Sequence, residues 1–267
     1  MPDACSIYKQ GGSASLRPLG SAMVETITLY WWDTCPAAQR VIIALEEAKA
    51  DYIKCQVNPW HKPEWYVPKV NPATGKIPAI TYGGPRVDPS NPAPESTKLT
   101  ESLVLLEFIA DLYPSSGLLS SDAVERAHTR FIIDVFSTKV FDAFYGTAWG
   151  GASPDGLYDG LLALQTQLEV HLKPGPFLGG DKINIADAAI APFLARMCAH
   201  FQKDVGLWEN GQGSKVYAEI FENERFGTLG RYTKALLARD TVRNSFLEDR
   251  YLDQVKVYIA GLREGKA

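Results

Sequence analysis

Cys35 is followed by Pro36 and stands between two unlike stretches. Glu25-Thr26-Ile27-Thr28-Leu29-Tyr30 before it alternates as a strand does, and Val41 to Ala50 after it has apolar residues at helical spacing. The thiol is therefore expected at a strand-to-helix junction. Proline suits the first turn of a helix, where its missing N–H would have had no partner, so Pro36 fixes the helix start just past the sulfur. There the sulfur faces unpaired N–H groups at the positive end of the helix dipole, which favours the nucleophilic thiolate. A second reading stays open, because cysteine is also among the most commonly buried residues and Cys35 would serve as a small packing group. Two residues past Pro36 stands Ala38, not a second cysteine. Redox chemistry at this position must take its resolving thiol from solution.

Three other groups have the residue types and placement for ligand contact. Pro78 directly precedes Ala79-Ile80-Thr81-Tyr82, a strand start that needs no ladder donor. As a cis residue it would turn the chain and open the backbone of Ile77 to an extended ligand; as a trans residue it would punctuate a loop. Ser102 suits an N-cap before Leu103, Leu106 and Ala110, and the N–H groups there bind an anion or are simply capped beside a solvated Glu101. The aromatics Phe141, Phe144, Tyr145 and Trp149 gather where a helix ends, as core or as ligand contacts.

The elements that must hold these groups follow from periodicity. Residues 25–31, 52–57 and 77–82 read as strands, 36–50 and 102–113 as helices, and 58–73 as a proline-punctuated segment. Gly83 to Leu99 holds four prolines and two glycines and reads as a long loop. That order predicts an α/β domain over 25–115. From residue 116 strand signals fade. Asp122-Ala123-Val124-Glu125 opens a helix to about Phe144, Leu157, Leu161, Leu164 and Leu168 share one face of a second, and Asn184-Ile185-Ala186-Asp187 caps a third to about Phe201. With further amphipathic stretches at 229–237 and 251–262, residues 116–267 are expected to form an all-α domain. Residues 1–24, rich in Ser, Gly and Ala, read as a flexible N-terminal arm.

The whole chain narrows the function class. A length of 267 residues with 46% hydrophobic residues suits two ordinary globular domains. A net charge of −4, with no basic block, argues against nucleic acid as a partner. No apolar run approaches the roughly 20 residues of a membrane span, so no membrane partner and a cytoplasmic location are expected. Four widely separated cysteines (Cys5, Cys35, Cys55, Cys198) fit neither a disulfide framework nor a zinc site, and the four histidines lack metal-ligand spacing. No metal is expected.

The ordered set of Cys35-Pro36 with Gln39-Arg40, Lys62-Pro63-Glu64-Trp65, Asn71-Pro72, Ile77-Pro78, Glu101-Ser102 and Asn184-Ile185-Ala186-Asp187 resembles the cytosolic glutathione transferases. The active-position cysteine, the Lys-Pro-Glu-Trp run and the N-terminal arm look most like the omega class, including its fungal members. The resemblance implies a thioredoxin-like α/β domain and a helical bundle, with glutathione as co-substrate lying along the first domain. It implies that Ile77 pairs its backbone with the cysteinyl part, that Pro78 is cis, that Glu101 takes the γ-glutamyl ammonium and Ser102 its carboxylate, and that Lys62 meets the glycyl carboxylate. It further implies Cys35-dependent thioltransferase or reductase activity, including deglutathionylation and dehydroascorbate reduction, in a homodimer. Ala37 stands where the family often has an aromatic, which opens space for a hydrophobic or glutathionylated second substrate beside Phe141, Phe144, Tyr145 and Trp149. The alternative is a ligandin-type binder of hydrophobic aromatic metabolites with little turnover.

Overall fold

In the computed structural model, which describes residues 7–9 and 25–265, the chain divides after Ser116 into two compact units. The first is built on a five-stranded sheet of β1 (Ile7–Lys9), β2 (Ile27–Trp31), β3 (Ile53–Gln56), β4 (Ala79–Tyr82) and β5 (Thr97–Thr100), in the order β1-β3-β2-β4-β5. Only β2 and β3 run parallel; every other neighbour is antiparallel. Ile27 to Tyr30 are all buried, as a central strand covered on both faces must be. Three helices complete the unit: α1 (Pro36–Glu47), α2 (Tyr66–Lys69) and α3 (Ser102–Leu112), with α1 and α3 packed side by side.

Helix α1 is held by its body, not its cap. Cys35 makes no side-chain cap hydrogen bond, yet every residue from Ala38 to Leu45 is buried. Burying Val41, Ile42, Ile43 and Leu45 contributes about 1.5–3 kcal/mol each, several times the ~1 kcal/mol of a good N-cap. The thiol position is thus relieved of the capping role that Ser or Asp usually fills.

Two sequence expectations need correction in this unit. The stretch from Gly83 to Leu99 is not loop throughout: Thr97–Thr100 is β5, paired from Tyr82↔Thr97 to Ala79↔Thr100. Ala93 and Ser96 are buried, and the Tyr30 hydroxyl donates to the Pro89 carbonyl at 2.7 Å, so the proline-rich chain is fastened to the sheet. Pairing with β4 overrides the local turn composition. The second correction concerns cysteine: Cys55 is disulfide-bonded, whereas Cys35 and Cys198 remain thiols. Cys55 lies opposite Ile7 of β1, an edge pairing that brings distant chain to its strand. Apart from β1, the expected arm of residues 1–24, Cys5 included, lies outside the described residues.

Beyond Ser116 the described residues of the second unit are helical, with only isolated β-bridges at 177↔180 and 179↔182. Its helices are α4 (Ala123–Val135), α5 (Asp142–Gly150), α6 (Asp155–His171), α7 (Ile185–Gln202), α8 (Gln212–Phe221), α9 (Gly227–Ala238), α10 (Asp240–Arg243) and α11 (Glu248–Arg263). Helices α4 and α5 form one rod joined by a π-helical stretch, Phe136–Phe141. There α6 approaches so closely that a Cβ on Gly160 would collide with the Lys139 carbonyl. Gly146 does not break the rod, which ends with Gly151 at φ +66°. Helix α7 is buried along nearly its whole length and starts with the expected capping box, Asn184 with Asp187. The Asp187 carboxylate accepts from the N–H groups of Asn184 (2.8 Å) and Leu178 (3.1 Å) and from the Tyr232 hydroxyl (2.8 Å). No helix among the described residues is long and apolar enough to cross a membrane.

Candidate active site

Sheet register gathers the candidate residues of the first unit. Trp31 pairs with Gln56, Tyr30 with Ala79, and Ala79 with Thr100. The chain leaving β2 toward Cys35, leaving β3 toward Lys62, entering β4 from Ile77-Pro78 and leaving β5 into Glu101-Ser102 therefore lies at one end of the sheet. Four segments distant in sequence meet because three strands end there and one begins.

Each segment is fixed by its own hydrogen bonds. The Cys35 N–H donates to the Trp32 carbonyl at 3.1 Å, closing a tight turn, and Cys35 is the extended residue (φ −79°, ψ 116°) just before α1, with Pro36 in the first turn. Gln56 donates to the buried Asp33 carboxylate at 3.0 Å and ties that turn to β3. Cys35 is partly exposed, at the start of a helix whose first N–H groups have no intrahelical partner. In the next segment the Asn58 side chain accepts from the N–H groups of Trp60 (2.9 Å) and His61 (3.3 Å), shaping the loop that presents Lys62. Lys62 is exposed and forms no ion pair among the described residues. Trp60, 67% exposed, meets Trp32 edge to face at 6.2 Å between ring centres.

The Ile77–Pro78 peptide is cis. Of the two readings open in the sequence, this is the one that turns the chain. The ladder on both sides of β4 begins at Ala79, so the backbone of Ile77 lies outside it. Across from it, Glu101 takes φ +70° and ψ 109°, a region that non-glycine residues seldom occupy. This corrects the expected cap: Glu101, not Ser102, is the N-cap residue of α3, and it makes no side-chain cap bond. Ser102 is the first helical residue, and its hydroxyl accepts from the buried Arg40 guanidinium at 3.2 Å. The N–H groups at the start of α3 thus stay open to an anion beside an exposed carboxylate.

Two residues gain importance that the sequence reading gave them only as parts of motifs. Arg40 links the cysteine-bearing helix to Ser102. Asn71, 2% exposed, bonds to both the chain before Ile77 and the end of β5. Their signal in the sequence was a polar residue amid apolar ones, which marks a buried polar group but not its partner. Tyr66 is buried beneath the site; burial above all, then Tyr30 and to a lesser degree Cys35, holds its hydroxyl above the usual tyrosine range.

In the second unit Phe141, Phe144, Tyr145 and Trp149 form a continuous aromatic run along α5 and its π-helical entry. Ring centres are 4.9 Å apart for Phe141–Tyr145, 5.3 Å for Phe144–Tyr145 and 6.0 Å for Tyr145–Trp149. Phe144 is fully enclosed and packs on His200 and Phe201, so it belongs to the core. Phe141, Tyr145 and Trp149 are partly exposed, as is Ala37 in the first unit. No group of three or more His, Cys, Asp or Glu side chains among the described residues is arranged to hold a metal.

Two family models match the chain: "Glutathione S-transferase, N-terminal domain" over residues 34–112 and "Glutathione S-transferase, C-terminal domain" over 155–210. Glutathione transferase Omega 1C from Trametes versicolor is 47% identical, with a TM-score of 0.83 over 89% of this chain and 98% of its own. Omega 2S from the same organism, solved in complex with 2,4-dihydroxybenzophenone, is 39% identical, with a TM-score of 0.79 over 87% and 99% of the two chains. Among curated proteins, "Probable glutathione S-transferase DHAR1, cytosolic" of Oryza sativa subsp. japonica is 28% identical over 78% of this chain and 81% of its own.

Proposed function

Given that the chain belongs to the glutathione transferase family, we propose that it is an omega-like glutathione-dependent thioltransferase and reductase with Cys35 as its nucleophile. The observation that carries this is the partly exposed thiol directly before α1, at the sheet end shared with Ile77 and Glu101. The Cys35 thiolate attacks the glutathionyl sulfur of a mixed disulfide. A bond forms between the two sulfurs, and the other sulfur leaves as a thiolate that takes a proton. A second glutathione thiolate then attacks the glutathionyl sulfur of the adduct, forming oxidised glutathione and restoring Cys35. With dehydroascorbate, the two electrons come from two glutathione thiols and end on the substrate.

The tripeptide lies extended. Its cysteinyl part pairs with the Ile77 backbone, its γ-glutamyl carboxylate with Ser102 and the open N–H groups of α3, its ammonium with Glu101, and its glycyl carboxylate with Lys62. These roles match charge to charge at both ends of the tripeptide. The enzyme works as a homodimer in the cytoplasm, whose glutathione pool supplies the co-substrate.

Ala37, partly exposed two residues past Cys35, leaves room for the second substrate in the first unit. A ligandin role for aromatic compounds on Phe141, Tyr145 and Trp149 of the second unit is the second reading, favoured by the partial exposure of these residues. Mass spectrometry after incubation with oxidised glutathione separates the two: the enzyme forms a reductant-sensitive adduct on Cys35, and a mere binder does not. Cys35→Ser should lower deglutathionylation on the order of 100-fold or more, since no other group supplies the covalent sulfur. Retention of most of that activity would overturn the mechanism.

A further inference from the structure

We infer that Asn71 is a positioning residue that sets the affinity for glutathione by fixing, from one buried amide, both backbone segments that grip the tripeptide. The inference rests on the glutathione reading above and goes beyond it, because Asn71, 2% exposed, acts through these segments.

Its side chain reaches two segments, the Thr74–Lys76 turn before Ile77 and the end of β5. The two hydrogens of its amide nitrogen are shared among three acceptors, the Lys76 carbonyl at 2.8 Å, the Thr100 hydroxyl at 3.0 Å and the Thr74 hydroxyl at 2.9 Å. Its oxygen accepts from the Thr74 N–H at 3.1 Å. The first of these bonds matters most. The Lys76 carbonyl and the Ile77 N–H belong to one planar peptide group, so holding the carbonyl aims the N–H in the opposite direction. The Tyr66 hydroxyl donates to the same carbonyl at 2.7 Å, and the peptide is clamped twice from the protein side. The Thr100 bond carries the constraint across the sheet. Thr100 precedes Glu101, and its hydroxyl, while accepting from Asn71, donates to the Pro78 carbonyl at 3.4 Å. The segment that meets the cysteinyl part and the one that meets the γ-glutamyl end are therefore held at a fixed separation.

None of these bonds reaches Cys35, so the inference separates affinity from thiol reactivity. The experiment measures glutathione binding by titration calorimetry and the glutathione KM, together with the rate of Cys35 alkylation by iodoacetamide, in wild type, Asn71→Ala, Asn71→Asp and Thr100→Val. Asn71→Asp keeps the acceptor for the Thr74 N–H but has no hydrogen to donate to the Lys76 carbonyl or to the Thr100 and Thr74 hydroxyls. The expected result is a rise of about tenfold in Kd and KM for both Asn71 variants and a smaller rise for Thr100→Val. Alkylation rates should stay at the wild-type value. If Asn71→Ala does not fold, Thr100→Val carries the test alone, because it removes only the link between the two segments. Wild type that binds glutathione, with folded variants that bind it equally well, overturns the inference and leaves the proposed function standing. Alkylation that slows in step with affinity also overturns it, since Asn71 would then support the site as a whole. Wild type that fails to bind glutathione overturns the proposed function and this inference together.

Discussion

Glu101 ought to trade stability for binding, and two substitutions separate the effects. Its φ of +70° with ψ 109° is a conformation that costs a residue with a Cβ about 1–3 kcal/mol. Glycine removes that cost, while the extra freedom of an unfolded glycine takes back ~0.5–1 kcal/mol. The net gain for Glu101→Gly is about 1 kcal/mol, which for a chain of this size raises Tm by roughly 2–4 °C. The same change deletes the carboxylate that we propose meets the glutathione ammonium. A hydrogen bond to a charged group contributes about 1.5–3 kcal/mol when shielded, and Glu101 is exposed, so the lower end applies. Glutathione affinity should then fall about tenfold. Glu101→Gln keeps the Cβ and the backbone cost but loses the charge, so it should bind as weakly as the glycine variant without the gain in Tm. Calorimetric unfolding and glutathione titration of the three proteins decide the matter. A lower Tm for Glu101→Gly would refute the strain account, and unchanged affinity in Glu101→Gln would refute the ammonium contact.

The second unit should respond to acid through His200. Burial lowers its pKa to about 4, and its ring nitrogens are bonded to the Val205 carbonyl (2.6 Å) and the Tyr251 hydroxyl (2.8 Å). The unfolded chain therefore takes the proton first, so this contribution is full above pH 6.5 and is lost as pH falls toward 4, on the order of 3 kcal/mol in all. Urea titrations at pH 7 and 4.5 should show His200→Gln losing less stability on acidification than wild type; equal losses would exclude His200 as the source. Asp187 acts in the opposite sense, because burial raises its carboxyl to about 6 against the pull of its donors, so its contribution is full below pH 3.8 and declines as pH rises through 6. Asp187→Ala leaves the Asn184 and Leu178 N–H groups and the Tyr232 hydroxyl without their acceptor, at about 1–3 kcal/mol each, so its thermal midpoint should drop by on the order of 10 °C. An unchanged midpoint would mean that water replaces the carboxylate.

What was legible in the sequence was what short-range physics fixes. The Pro36 helix start and the caps at Asp122 and Asn184 depend on residues within a turn of one another, and all three stand where local chemistry puts them. The misses depend on partners far along the chain. Strand β5 hides in a proline-rich stretch because only its pairing with β4 makes it a strand. Helix α8 follows its N-cap Gly211, which has no capping side chain. The Asp204 carboxylate accepts instead from the N–H groups of Gly211 at 2.5 Å and Gly213 at 2.8 Å. The π-helical stretch exists where Gly160 lets α6 come close, a demand of packing with no trace in the stretch itself.

The candidate site spans both kinds of information. Cys35 could be read from its neighbours, but the backbone at Ile77 and Glu101 could not, because its usefulness lies in what it withholds from the fold. Ile77 stands outside the ladder, and the N–H groups at the start of α3 have neither an intrahelical acceptor nor a Glu101 cap. Such groups are tolerable only where solvent or a ligand completes them. Close by, the fold completes other groups from within: Asn71 and Tyr66 take the Lys76 carbonyl, and Arg40 reaches the Ser102 hydroxyl. Open hydrogen-bonding capacity is thus left at the sheet end where the thiol stands. An extended peptide with an anion at each end and an ammonium at one has groups that complement that pattern, so the proposed seat for glutathione rests on the backbone as much as on the cysteine.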